Sequence, residues 1–199
     1  MVGMNANVPD YVTHYAVAGR APFLNLSDLR EEALDSVLGD LAHERARGAS
    51  TRVFGSRYME LRRLTEEKLR QLFIARGGRP ERIAPHYFVL GASRWYRGLA
   101  RDMDEVILKV AELPHDQTTF TYPDSFTSMG LGAAFGLPHE PRPGHGRVFR
   151  LNELAAVVKR YGMPVEEPGS YDGYQFRSFE KYIEVQLWSD GPISVRRSL

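Results

Sequence analysis

The chain contains no cysteine, which excludes disulfide bridges, thiolate metal sites and cysteine nucleophiles. It also lacks any apolar run near the roughly 18 residues that a bilayer-spanning helix needs. The opening stretch MVGMNANVPD has neither the basic nor the apolar region of a secretory signal. These absences set the expectation of a cytoplasmic protein with no membrane contact. An excess of one charge is missing too: 26 Lys/Arg against 25 Asp/Glu leave a net +1. Any nucleic-acid surface must therefore be a local patch. HExxH, GxSxG and the Walker phosphate loop are all absent. The six histidines (His14, His43, His86, His115, His139 and His145) show no ligand spacing. They read as ordinary surface or loop residues, and no metal is expected.

What is present suits one domain over residues 1–199, with 43% hydrophobic residues to build a core. DYVTHYAV (10–17) reads as a first strand. Ser27 is placed to cap a helix running to about Arg47, with Leu34, Val37, Leu38 and Leu41 at helical spacing. A second helical region follows Ser56, in which Thr65 precedes Glu66 and Glu67, acids suited to a first turn. Its apolar stripe is Leu69, Leu72 and Phe73, and Gly77–Gly78 end it. Strand patterns then dominate: PHYFVLG (85–91), EVILKV (105–110), TTFTY (118–122), the short VFRL (148–151) and finally YIEVQLW. Asn152 is placed to cap a helix carrying Leu154, Val157, Val158 and Tyr161. The Gly/Pro/His-rich segment 129–147 reads as a flexible loop. Helices early and strands late indicate an α+β fold.

The last strand carries an anomaly. Side chains alternate along a strand, so Ile183, Val185 and Leu187 share a core face. Tyr182, Glu184, Gln186 and Trp188 share the other, which is either a cleft lining or a solvated surface. Residues 45–82 hold eleven Lys/Arg, among them Arg57, Arg62, Arg63, Lys68 and Arg70. That run is either a phosphate-neutralising stripe or a solvated helix face laced with ion pairs. TYPDSFTSMG follows a strand directly, as ligand-contacting segments often do, although turn capping by Asp124 and Ser125 explains it equally.

Three segments in order resemble the DarT-type ADP-ribosyltransferases, which use NAD to modify bases of single-stranded DNA. RRL…PHYFVLGASRWY resembles a basic pair followed by a Pro-Phe-Tyr-Phe strand and a downstream tyrosine; here these are Arg62, Arg63, Pro85, Tyr87, Phe88 and Tyr96. EVILKVAEL…TFTYPDSF resembles the family's next strand and turn, and FEKYIEVQLWSDGPI its last strand, which bears the catalytic glutamate. The resemblance covers about residues 57–195. It departs in the first strand, where the family has a His-Ile-Thr-His-like segment and here Tyr11 stands at the first histidine's position, with His14 at the second's. The resemblance implies central, strongly bent antiparallel or mixed sheets with N-terminal helices. It implies NAD as substrate, Glu184 as catalytic residue, and Arg63, or its neighbour Arg62, on the pyrophosphate or the acceptor. Tyr11, Thr13, His14, Tyr87, Tyr96 and Ser125 would line the NAD site, with the 129–147 segment closing over it. Arg57, Arg62 and Lys68 would face single-stranded DNA or RNA. An antitoxin partner is implied as well.

The chemistry gives such a glutamate a task. Cleaving the nicotinamide–ribose bond develops positive charge on the sugar, as in glycoside hydrolysis. A carboxylate near the ribose stabilises that charge more in the transition state than in the ground state, and it can take a proton from the nucleophile. Two other readings stand beside this one. The first is a non-catalytic nucleic-acid or protein-binding module of the same fold. The second, ranked last, is a metal-dependent nuclease or nucleotide hydrolase, for which no dense carboxylate cluster is visible.

Overall fold

A computed structural model describes residues 8–52, 54–131, 133, 141–164 and 182–194. The fold is α+β. Its strands are β1 (Tyr11–Val17), β2 (His86–Leu90), β3 (Met103–Lys109), β4 (Thr118–Thr121), β5 (Phe149–Arg150) and β6 (Glu184–Leu187). The helices are α1 (Glu31–Ala46), α2 (Tyr58–Ala75), α3 (Arg94–Arg97), α4 (Ser125–Ser128), α5 (Leu154–Tyr161) and α6 (Gly191–Ser194). The six strands form one sheet in the order β3-β1-β2-β6-β4-β5, and every pairing is antiparallel. The resemblance implied several sheets; among the described residues there is one. No described helix is long and apolar enough to cross a membrane.

The registers assign the two faces. Val185 lies opposite Phe88 and Phe120, and Leu187 opposite His86 and Thr118. This first face, with Val12, Leu90 and Phe149, packs against Phe23, Ile193 and the α5 residues Leu154, Val157 and Val158 to make the main core. The second face carries Thr13, Val89, Tyr87, Thr119, Thr121, Glu184 and Gln186. Helix α2 covers it. At one end Leu69 and Phe73 meet Trp188, Met129 and Val148 in a smaller apolar cluster.

Helix ends differ from the expectations in three places, each for a local reason. Asn25, not Ser27, caps a 3₁₀ turn at Leu26–Asp28, and α1 begins only at Glu31. Thr65 lies mid-helix because α2 starts at Tyr58; its buried hydroxyl bonds back to the Leu61 carbonyl at 2.7 Å. Asn152 falls within a 3₁₀ turn (Leu151–Glu153), where Glu153 accepts the Arg150 N–H at 2.8 Å. The end of α2 is as read. Gly77 takes φ +78°, its N–H reaches the Ile74 carbonyl, and the Gly78 N–H reaches that of Phe73, a paired closure that suits glycine. A Cβ on Gly78 would also strike the Phe73 ring at 2.3 Å.

Candidate active site

Glu184 opens β6, a strand flanked on both sides, and is 7% exposed. Its Oε1 accepts from Gln186 Nε2 at 2.9 Å, and Ser125 adds a side-chain hydrogen bond. Ser125 is presented by α4, whose first turn is capped by Asp124: one carboxylate oxygen accepts the Thr127 N–H at 3.0 Å, the other its hydroxyl at 2.6 Å. Asp124 therefore caps this turn, while the Ser125 side chain reaches the acid. Burial and the nearby Asp124 charge push the Glu184 carboxyl up to about 7, against the Ser125 and Gln186 hydrogen bonds and the Arg62 charge. A carboxyl poised there can hold or accept a proton near neutral pH.

Over this face lies a row from α2: Tyr58, Arg62 and Glu66, each four residues from the next, so that one helix face presents all three. Arg62 Nε donates to Glu66 Oε1 and to Ser27 Oγ, both at 3.0 Å. Its Nη1 donates to Tyr58 at 2.9 Å and its Nη2 to Asn25 Oδ1 at 2.9 Å. The Tyr87 hydroxyl and the Ser27 hydroxyl also donate to Glu66 Oε1, each at 2.9 Å. The guanidinium carbon stands 4.8 Å above the Tyr87 ring. Burial opposes the guanidinium charge, but Tyr58, Tyr87 and Glu66 outweigh it, so Arg62 remains a fixed cation. Burial and Glu66 push the Tyr87 phenol well above its ordinary range, and it stays a donor.

A third component is aromatic. Tyr15 stacks on Tyr96 with centroids 5.4 Å apart, and Tyr182 meets both Tyr96 and Trp95. The Tyr15 oxygen accepts the Ser93 N–H at 2.8 Å. Burial raises the Tyr96 phenol, Arg52 opposes the shift, and Glu184 adds to it. Tyr96 therefore lies within electrostatic reach of the buried acid.

The structure thus brings Glu184, Ser125, Tyr87, Tyr96 and Arg62 together. Thr13 shares their sheet face, with its hydroxyl donated to the Gly91 carbonyl at 2.7 Å; Tyr11 follows it by alternation, opposite Lys109 in the register. His14 is a correction. It points to the other face, stacked on Phe23 at 4.4 Å. Its Nδ1 donates to the Tyr87 carbonyl at 2.9 Å, and its Nε2 accepts the Phe23 N–H at 3.0 Å. Burial lowers it to about 4, so it is a neutral, half-buried imidazole on the face opposite Glu184.

The basic residues divide between outward and inward positions. Arg63 is exposed, and the arginine beside Glu184 is Arg62, which bonds internally through every guanidinium nitrogen rather than facing outward. Arg57 is exposed and paired twice with Glu60 at 2.9 Å. Lys68 is exposed, its Nζ 3.5 Å from the Met129 carbonyl. Arg76 binds Glu153 and the Val148 carbonyl, and Arg82 binds Asp190. The stripe therefore divides into internal ion pairs and scattered surface charges.

Of segment 129–147, the described residues 141–147 are tied to α4 through the Gly146 N–H and the Ser128 carbonyl at 2.6 Å; residues 132 and 134–140, with His139, lie outside the described residues. Sequence reasoning missed Tyr58 and Glu66, although their four-residue spacing from Arg62 was readable. It also missed Asn25, Ser27 and Tyr15, whose roles arise from contacts distant in the chain. Among the described residues no group of three His, Asp or Glu side chains is placed to hold a metal ion. Comparison with known proteins finds no matching family model, no matching curated protein and no matching solved structure.

Proposed function

We propose that the chain is an NAD-dependent ADP-ribosyltransferase of the corresponding fold, with Glu184 as its catalytic carboxylate and a nucleic-acid base as acceptor. The observation that carries this reading is the buried Glu184 itself: a carboxyl held by Gln186 and Ser125 on a central strand, beside Tyr87, Tyr96 and the fixed cation Arg62. The neighbouring strands β1, β2 and β6 bear Thr13, Tyr87 and Glu184 on one face, beneath α2.

In the reaction the C1′–N bond of NAD breaks and its electron pair leaves with nicotinamide. The ionised Glu184 offsets the positive charge that grows on the ribose. The acceptor nitrogen or oxygen then bonds C1′ and loses a proton, which Glu184 is placed to receive. Tyr96, half-buried and within electrostatic reach of Glu184, is the aromatic edge that would border the nicotinamide ring. Arg62 acts through Glu66 and Tyr87, keeping the Tyr87 ring in place.

The test is incubation with radiolabelled NAD and single-stranded DNA or RNA, followed by nicotinamide release and label transfer. Glu184→Gln, which keeps shape and removes charge, is expected to slow release by on the order of a hundredfold or more. Absence of NAD binding by calorimetry together with absence of nicotinamide release refutes the proposal.

A further inference from the structure

Behind Glu184 runs a chain of hydrogen bonds that no solvent reaches. Trp188 Nε1 donates to Thr119 Oγ1 at 2.9 Å. Thr119 Oγ1 lies 2.9 Å from Gln186 Oε1. Gln186 Nε2 lies 2.9 Å from Glu184 Oε1 and 3.0 Å from Thr121 Oγ1. Trp188, Thr119, Thr121 and Gln186 are all 0% exposed.

While Glu184 is ionised the two ends have fixed polarity, because an indole N–H can only donate and a carboxylate can only accept. With the carboxyl ionised, one orientation of the Gln186 amide satisfies the chain from Trp188 to Glu184. Thr119 accepts from Trp188 and gives its proton to the Gln186 carbonyl, so the Gln186 amino group faces Glu184. The flipped amide would set a carbonyl against a carboxylate oxygen and leave a buried acceptor unmatched, which is costly in a dry interior. Oε1 is thereby kept as an acceptor, and any proton on Glu184 belongs on the other oxygen.

We propose that Gln186, oriented by Thr119 and Trp188, is the positioning residue of Glu184, reserving one carboxyl oxygen as a permanent acceptor and leaving the other to exchange protons. As a statement about catalysis this rests on the role given to Glu184 above. The charged and titratable groups facing Glu184 are Asp124 at the start of α4, Arg62 of α2 and, as phenols, Tyr87 and Tyr96. None of them contacts Thr119 in this chain of bonds, so Thr119 is the position that isolates the effect.

The test reads the Glu184 carboxyl directly by carbon-13 NMR across a pH titration, without NAD, the signal being assigned by its loss in Glu184→Gln. Thr119→Val does not touch Glu184 but frees the Gln186 amide to turn. It is expected to raise the titration midpoint by about half a pH unit or more, a roughly threefold change in the acid constant. Thr119→Ser keeps the hydroxyl and is expected to titrate as wild type. Gln186→Met, close in volume and without a donor, is expected to raise the midpoint at least as far. An unshifted midpoint in Thr119→Val overturns the proposal. If that variant does not fold, an unshifted midpoint in Gln186→Met does so. Full nicotinamide release by Glu184→Gln alongside the expected midpoint shifts would refute the reaction assigned to Glu184 and leave the orienting chain standing.

Discussion

At Arg62, sequence pattern and packing part company. A doublet, Arg62-Arg63, sits on a helix, and nothing local says which member turns inward. The choice is made by acceptors from elsewhere: Asn25 and Ser27 from the turn before α1, Glu66 one helical turn on, and the Tyr87 ring from β2. Glu66 is 3% exposed and its carboxylate depends on that guanidinium. Removing one member of a buried pair strands the other, at a cost of about 3–5 kcal/mol. Arg62→Ala is therefore expected to lose stability on that scale in urea denaturation, whereas Arg62→Met combined with Glu66→Leu loses less despite changing two residues. Equal losses would show that the charge of Glu66 is tolerated without its partner. Glu184 was legible at this scale, because alternation along YIEVQLW isolates it on the polar face. Its partners Ser125 and Gln186 were visible as residue types in the right places. Arg62 over Arg63, and the inward Thr65, were not.

The elements were more legible than their ends. The segments read as strands fell on all six strands, and the paired glycines closed α2 as read. Burial of the elements was harder to foresee. In β6 all four residues are buried, since the strand is flanked by β2 and β4 and covered by α2; no single-strand pattern reveals a roof over the polar face. Helix α1 errs in the opposite sense. Its leucine spacing suggested a core helix, yet only Leu34 is buried, with Val37, Leu38 and Leu41 half-buried. Helix α2 buries Met59, Leu61, Thr65, Glu66, Leu69 and Phe73. Local opening follows the amount of buried contact. Native-state hydrogen exchange is expected to show α1 amides opening at low denaturant with little dependence on it, while the α2 amides facing the sheet exchange only with global unfolding. Coincident exchange of both helices would contradict this.

Across the whole molecule, the strand order was beyond the sequence. It places β6, the last of the described strands, between β2 and β4, and pairings over such separations leave no local pattern. That order also sets two buried titratable groups on opposite faces of one sheet. His14 falls from its ordinary 6.5 to about 4, mainly through burial. Its contribution to stability is present above 6.5 and is lost as pH falls toward 4. Glu184 rises from 4.5 to about 7, again mainly through burial. Its contribution is present below 4.5 and is lost as pH rises through 7. Between those ordinary values the two slopes oppose each other, each up to roughly 1.4 kcal/mol per pH unit. The wild-type melting temperature is therefore expected to change little from these groups over that range. Glu184→Gln is expected to fall in stability as pH drops through it, and His14→Gln to fall as pH rises.

The same opposition can be stated as a movement of matter. Near pH 5.5, about midway between the two ordinary values, folding removes a proton from the imidazole on one side of the sheet and places one on the carboxyl on the other. Between these two groups alone, the balance is that one proton crosses the sheet. Together the two groups should accordingly add no buffer dependence to the calorimetric unfolding enthalpy at that pH, measured in acetate and in a buffer with a large ionisation enthalpy. Either single variant should make it buffer-dependent, with opposite signs.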